Sequence, residues 1–204
     1  YNTSYFGDTI LTDALCRNLK RLYPESRLVF VSNKPFTDIS RYMDGVDEVW
    51  TYDKWGIHKG LAGWYKFYKE HKNQHVFDAA FVIYGNERGI LLSKFLGAKK
   101  IYADNRHAIV RLLLSNGKIN YGKWIHVQDR HAYLAELYAG KPMESMKIRY
   151  HVPDEAFAYI NEQLLKGISK PIIALNPVTK RKEKDLKPDT LLTPVSYTHL
   201  TLPT

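Results

Sequence analysis

The sequence is poor in the features that commit a chain to several common chemistries. One cysteine, Cys16, stands among 204 residues, so no internal disulfide and no cysteine-rich zinc site can form, which fits a reducing compartment. No apolar run approaches the ~20 residues of a membrane span. The longest, FDAAFVIY at 77–84, has the length of a strand. G-x-G-x-x-G is absent, which leaves a dinucleotide-binding first loop unsupported. G-x-x-x-x-G-K-[ST] is absent too, which sets aside P-loop chemistry, and the lack of G-x-S-x-G counts against an α/β-hydrolase. The eight histidines show no paired metal spacing. His71 and His75 stand four apart in HKNQH, but at a helix end and without a third ligand, so no metal is expected. Internal repeats and low-complexity tracts are missing as well.

What is present describes a folded domain. Hydrophobic residues make up 45% of the chain, with four Trp, fifteen Tyr and eight Phe, enough for a substantial core and too many aromatics for a disordered chain. The net charge of +9 favours anionic partners such as nucleotides, phosphorylated sugars or acidic lipids, or else marks a solvated basic surface.

Apolar periodicity predicts a helix over 9–23, with Leu11, Ala14, Leu15, Leu19 and Leu22 on one face and Arg17, Lys20 and Arg21 off it. Cys16 falls inside it as a small buried residue. Pro24 stops that helix. Strands follow at 27–32, 46–52, 77–84 and 99–103, alternating with helices at 36–43, 61–71, 87–97, 108–114, 127–140 and 154–167. A further strand at 170–177 leads into the charged loop VTKRKEKDLKPD. Strands alternating with helices predict an α/β fold, a Rossmann-like doubly wound parallel sheet. The predicted division is a first Rossmann-like domain at 1–150, which the resemblance described below makes the acceptor side, a linker helix at 151–169 and the beginning of a second Rossmann-like domain at 170–194. The stretch YNTSYFG is polar and turn-like, so the strand that should feed helix 9–23 is expected to lie before Tyr1. VSYTHLTLPT (195–204) matches the translation of a transposon-end sequencing adapter. On that expectation the chain is truncated at both ends, and His199 beside Ser196 carries no catalytic meaning.

In doubly wound folds ligands sit beyond the carboxyl ends of strands, at helix N-termini. Asp8 occupies such a place in SYFGDTILTD. It can be a helix N-cap, accepting from free amides. It can equally be a carboxylate kept ionised by the helix N-terminus and able to take a proton from an attacking hydroxyl. Gly7 before it permits a tight turn and keeps bulk away from a substrate. The aromatic and basic stretch WYKFYKEH (64–71) can either rest on an anionic membrane or turn its rings to the core. The strands are apolar and lack exposed aromatics interleaved with Lys and Arg, so no nucleic-acid partner is expected.

SYFGDTILTDALCRNLKRLYPESRLVFVSNKPF resembles the opening of the lipopolysaccharide heptosyltransferases, glycosyltransferase family 9, with its strand, Ser-x-x-Gly-Asp and hydrophobic helix. VDEVWTYDK, FDAAFVIYGNERGILLSKFLGAKKIY, HVQDRHAYLAELYAG and IIALNPVTKRKEKDLKP are similar to later segments of that family, in the same order, over residues 3–190. The resemblance implies a GT-B arrangement of two Rossmann-like domains. It also implies metal-free, cofactor-free, inverting transfer of a sugar from a nucleotide donor, typically ADP-heptose, to an anionic lipopolysaccharide core acceptor. Asp8 would then be the general base. Thr179 and Lys184 would hold the donor phosphates, with Lys182 able to replace Lys184 because the spacing is one residue longer than the family's, and Leu186 stands where Trp is usual. Gly7, Lys54, Lys59 and Arg88 would line the acceptor side. The resemblance places such an enzyme in the cytoplasm, at the inner-membrane surface. A GT-B enzyme of other sugar specificity and a non-catalytic nucleotide-binding α/β module remain the alternatives.

Overall fold

The apolar stretches become short parallel strands because they are rich in Val, Phe and Tyr and are covered on both faces. The computed structural model describes residues 1–84, 87–104, 126–169 and 172. Strand β1 (Val29–Asn33) pairs in parallel with β2 (Glu48–Tyr52), Val31 opposite Trp50. Strand β3 (Ala79–Val82) pairs in parallel with β4 (Lys100–Ala103), Phe81 opposite Tyr102. The segment Tyr1–Thr3 lies between the two pairs. The Asn2 amide donates to the Val31 carbonyl at 3.0 Å, the Ile83 amide donates to the Tyr1 carbonyl at 2.9 Å, and the Tyr1 nitrogen donates to the Phe81 carbonyl at 2.8 Å. Asn2 and Ser32 form a parallel bridge. The order is therefore β2, β1, Tyr1–Thr3, β3, β4. The expectation that YNTSYFG is all turn is corrected: its first three residues serve as the central strand, and the turn starts at Ser4.

The helices are α1 (Phe6–Ile10), α2 (Asp13–Leu22), α3 (Thr37–Arg41), α4 (Gly60–His71), α5 (Glu87–Phe95), α6 (Val127–Ala139) and α7 (Asp154–Tyr159). Side chains alternate between the two faces of the sheet. Ile83 and Tyr102 meet Leu15 and Leu19 of α2 and Leu134 and Ala135 of α6. On the other face Val31, Trp50 and Tyr52 meet Phe67 of α4 and Leu92 of α5. Val82, Ile101 and Ala103 pack on Ile90 of α5. Cys16 is buried against Phe30 and Met43, as the helical pattern predicts.

Helix α2 carries a second, polar seam. Asp13 and Asn18 are buried. Asn18 donates to the Glu144 carbonyl at 2.9 Å and accepts from the Glu144 amide at 2.8 Å, and Asp13 accepts from the Arg149 amide at 3.1 Å. The chain leaving α6 at Gly140, whose φ of +64° closes that helix, is thereby laced back over α2. This first compact unit is Tyr1–Phe157, and the second is Ala158–Thr204. Of the second, Ile160–Leu164 form one π-type turn, followed by Gly167 at φ +80°. The predicted helix 108–114, the strand 170–177 except for Ile172, and the segment 195–204 lie outside the described residues.

The predicted single helix 9–23 is corrected to two. In an unbroken helix the Asp8 carbonyl would accept the Thr12 amide. It accepts instead the Asn2 side-chain amide at 2.9 Å and the Thr12 hydroxyl at 3.0 Å, and the Thr12 amide turns to Thr9 at 3.1 Å. Asn2 also donates to the Thr12 hydroxyl at 2.8 Å and accepts from the Ser4 amide at 3.0 Å. Local side-chain bonds have displaced a backbone bond, and the chain bends at Leu11–Thr12. Asn2 is fully buried. Asn2→Ala removes all three of these side-chain bonds and is expected to lower unfolding free energy by about 2–4 kcal/mol, read from urea unfolding.

Candidate functional site

The order of strands defines where a site can form. From the central segment the chain moves outward through β1 to β2, then crosses back to β3 on the other side and outward to β4. The reversal falls between Tyr1–Thr3 and β3, and crevices for ligands open at such reversals, beyond the carboxyl ends of the strands. Asp8 follows the central segment at this edge, Tyr84 follows β3, Asp104 follows β4 and Lys54 follows β2.

Asp8 is half-buried and stands in the first turn of α1. The N-cap reading is corrected: Tyr5 holds the cap position, no side chain caps the helix, and Asp8 is its third residue. Burial first, then the charge of the nearby Asp8 carboxylate and hydrogen bonding to it, push the Tyr84 phenol up to about 12. Tyr84 has a φ of +47°, an uncommon conformation for a residue with a large side chain, costing about 1 kcal/mol or more. Behind it lies a buried polar group. The Tyr84 ring meets the His131 ring edge-on at 5.3 Å. His131 Nε2 is 3.5 Å from Asp104 Oδ2, which accepts from Arg130 Nε at 3.0 Å. His131 is fully buried, and neither ring nitrogen has a hydrogen-bond partner among the described residues. Helix α6 supplies Arg130 and His131 from adjacent positions of its first turns.

The other expected residues are less closely gathered. Lys54 reaches the same edge: its Nζ donates to the Thr3 carbonyl at 2.6 Å and lies 5.4 Å from the centre of the Tyr5 ring. Lys59 is exposed at the N-cap of α4. Arg88 sits in the first turn of α5, where its carbonyl accepts from Trp64 Nε1 at 3.2 Å and its charge acts on the Tyr1 and Tyr52 phenols. Gly7 is exposed, has no positive φ, and a Cβ there would meet nothing within 4 Å. The tight-turn argument for Gly7 is therefore corrected: a helical residue of any kind fits its backbone, and only the open space beside it is left as a reason for glycine. Thr179, Lys182 and Lys184 lie outside the described residues.

His71 and His75 flank Trp50, stacked on it at 4.1 and 5.9 Å, so this pair is engaged in packing. Among the described residues no group of three His, Cys, Asp or Glu could hold a metal ion, and no helix is long and apolar enough to cross a membrane. Tyr84, Asp104, Arg130 and His131 were not singled out from sequence. The one available signal was their spacing at strand ends and helix starts, since each follows a strand or opens a helix within an apolar pattern.

No family profile and no curated protein matches the chain. Solved structures do. A glycosyl transferase family 9 protein from Veillonella parvula DSM 2008 is 18% identical with a TM-score of 0.82, over 96% of this chain and 58% of that one. The E. coli heptosyltransferase WaaC with ADP is 17% identical with a TM-score of 0.69, over 95% of this chain and 62% of that one. The E. coli ADP-heptose lps heptosyltransferase II is 17% identical with a TM-score of 0.64, over 88% and 54%. The chain thus spans a little over half the length of these structures. They establish its fold: the Rossmann-like α/β architecture shared by glycosyl transferase family 9 and the heptosyltransferases.

Proposed function

We propose that a protein carrying this chain is an inverting glycosyltransferase that moves heptose, or a related sugar, from ADP-heptose to a lipopolysaccharide core acceptor. The observation that carries this reading is the placement of Asp8. It is a half-buried carboxylate on the first turn after the central strand, at the point of strand-order reversal, and its charge acts on the Tyr84 phenol. The shared fold with heptosyltransferases supports it.

In this reading an acceptor hydroxyl attacks the anomeric carbon of the donor. The new carbon–oxygen bond forms on the face opposite the leaving group, the bond from the anomeric carbon to the diphosphate oxygen breaks, and ADP leaves with the electron pair. The hydroxyl proton passes to an Asp8 carboxylate oxygen. The carboxylate stands in the first turn of α1. Negative charge growing on the diphosphate is met by Thr179 and by Lys182 or Lys184, without a metal or other cofactor. Lys54, Lys59 and Arg88 attract the phosphates or carboxylates of the acceptor.

Asp8→Asn keeps the size of the side chain and removes its proton affinity. In a protein that joins this chain to its donor-binding half, ADP release with ADP-heptose and a core acceptor is expected to slow by about 10³-fold. Turnover within threefold or so of the parent would sink the base assignment. The Tyr84 contact is read independently in the chain itself, with ¹³Cζ-labelled tyrosine. The Tyr84 resonance is expected to titrate near 12, and Asp8→Asn to lower that midpoint by roughly one unit; an unmoved midpoint would show that the phenol does not meet the carboxylate.

A further inference from the structure

The loop between β2 and α4 is closed by a buried histidine. His58 is 4% exposed, and all four of its polar atoms are engaged. Its amide donates to the Asp53 carbonyl at 2.9 Å, and its carbonyl accepts from the Tyr52 phenol at 3.1 Å. Its Nδ1 accepts from the Asp53 amide at 2.9 Å, and its Nε2 lies 3.0 Å from Glu70 Oε2. The ring packs against Tyr52 and Phe67, with centroids 5.2 and 5.1 Å away. Helix α4 passes so close that a Cβ on Gly63 would lie 2.3 Å from the His58 carbonyl carbon, so position 63 takes no side chain. Within the loop the Gly56 amide donates to the Asp53 carbonyl and carboxylate, and the Lys59 amide donates to the Gly56 carbonyl. Asp53 and His58 thus tie the two ends of a loop that carries Lys54 and Lys59.

This bonding fixes the protons of the ring. A backbone amide can only donate, so the Nδ1 that receives the Asp53 amide carries no hydrogen. The ring proton sits on Nε2 and is given to Glu70. A second proton could go only to Nδ1, where it would set one N–H against another, so the ring cannot take a charge without releasing Asp53. The surrounding groups pull in both directions. Glu70 of α4 favours the charged ring, although Lys66 Nζ also lies 4.0 Å from its carboxylate. The Asp53 carboxylate is paired with Lys34 at 3.0 Å, and the charge of His71 opposes that of His58. The Tyr52 phenol is occupied by the His58 carbonyl.

We propose that His58 is a neutral-state clasp, a positioning residue that holds the loop carrying Lys54 and Lys59 and lets it go when the imidazole takes up a proton. Held, the loop keeps Lys54 at the Asp8 edge, where its Nζ donates to the Thr3 carbonyl at 2.6 Å. Released, it no longer presents the two lysines at fixed positions. The consequence for an anionic acceptor rests on the sugar-transfer reading above, whereas the clasp itself does not.

The clasp is read in the chain itself, with ¹⁵N-labelled protein. At neutral pH the His58 ring is expected to show an unprotonated Nδ1 and a protonated Nε2. As pH falls from about 7.5 to about 5, the range in which imidazoles change charge, the Asp53 and Gly56 amide resonances are expected to move together with the ring. Their protection from hydrogen exchange should drop at least about tenfold. His58→Asn places an oxygen where Nδ1 stands, which accepts from the Asp53 amide and takes no charge. That variant is expected to hold the loop at both ends of the range, and His58→Leu at neither. A protonated Nδ1 at neutral pH, an Asp53 amide that stays put while the ring titrates, or acid release that persists in His58→Asn would each overturn the proposal. Should His58→Leu not fold, the parent spectra and His58→Asn still decide. In a protein that joins this chain to its donor-binding half, His58→Leu is expected to raise the acceptor KM about tenfold with kcat within about twofold, and His58→Asn to restore the parent KM. An unchanged acceptor KM in a folded His58→Leu would overturn the positioning role. Full turnover by Asp8→Asn would instead sink the sugar-transfer reading and leave the spectra to decide the clasp.

Discussion

One buried amide, that of Asn2, ties the sheet to the site. Its backbone lies in the central strand position, and with Tyr1 it joins two strand pairs that share no other backbone hydrogen bond among the described residues. Its side chain takes the Asp8 carbonyl and the Thr12 hydroxyl. An amide can donate twice and accept twice, and here one group ends a helix, starts the next and sets where Asp8 stands. A hydrophobic residue at the same place would fill the volume but leave the helical register free to run on. The position of the carboxylate follows from hydrogen bonding; the apolar core supplies the platform on which that bonding takes place.

The same division of labour recurs across the unit. Apolar contacts of α2, α4, α5 and α6 hold the layers together, and buried polar groups decide how particular segments run. Asp13 and Asn18 choose the path of the chain after α6. Asp104 and Arg130, both largely buried, form the ion pair behind His131 and Tyr84. Such a pair adds little net stability, since desolvation offsets its attraction, but it is costly to split. It therefore fixes the start of α6 relative to the end of β4 and so backs the phenol that meets Asp8. A reactive group held by packed elements of this kind needs little reorganisation when a ligand arrives.

Much of the fold was legible residue by residue. RLVFVS, VDEVWTY, FDAAFVIY and KKIYA each contain a strand, because a parallel strand covered on both faces needs a continuous apolar run. Gly140 closes α6 at positive φ, where only its lack of a Cβ is comfortable. The break at Leu11–Thr12 was not legible. Its cause is a side chain ten residues away from Thr12, and Leu11 continues the apolar stripe without interruption. YNT did not read as a strand, since three polar or small residues carry no period; its role comes from the two edges on either side of it. Tyr84 was missed for a related reason. At the end of FDAAFVIY it counts as one more apolar residue, and nothing in that run points to Asp8. In WYKFYKEH the helical period could not say which rings face inward until Phe67 met Tyr52 and Trp50.

By itself the sequence determined the class of fold and the neighbourhood of the site. Both depend on short-range patterns: strand runs, helical stripes, and a Gly-Asp pair in front of the first helix. The tertiary structure decided which groups meet. Asp8 and Tyr84 are 76 residues apart, and they touch because strand order puts the ends of two neighbouring parallel segments side by side. The exposed face of α4 was decided in the same way, by which of its rings the sheet could bury. Local pattern is set by the periodicity of one element, whereas contact between elements is set by packing, and packing is a property of the whole unit.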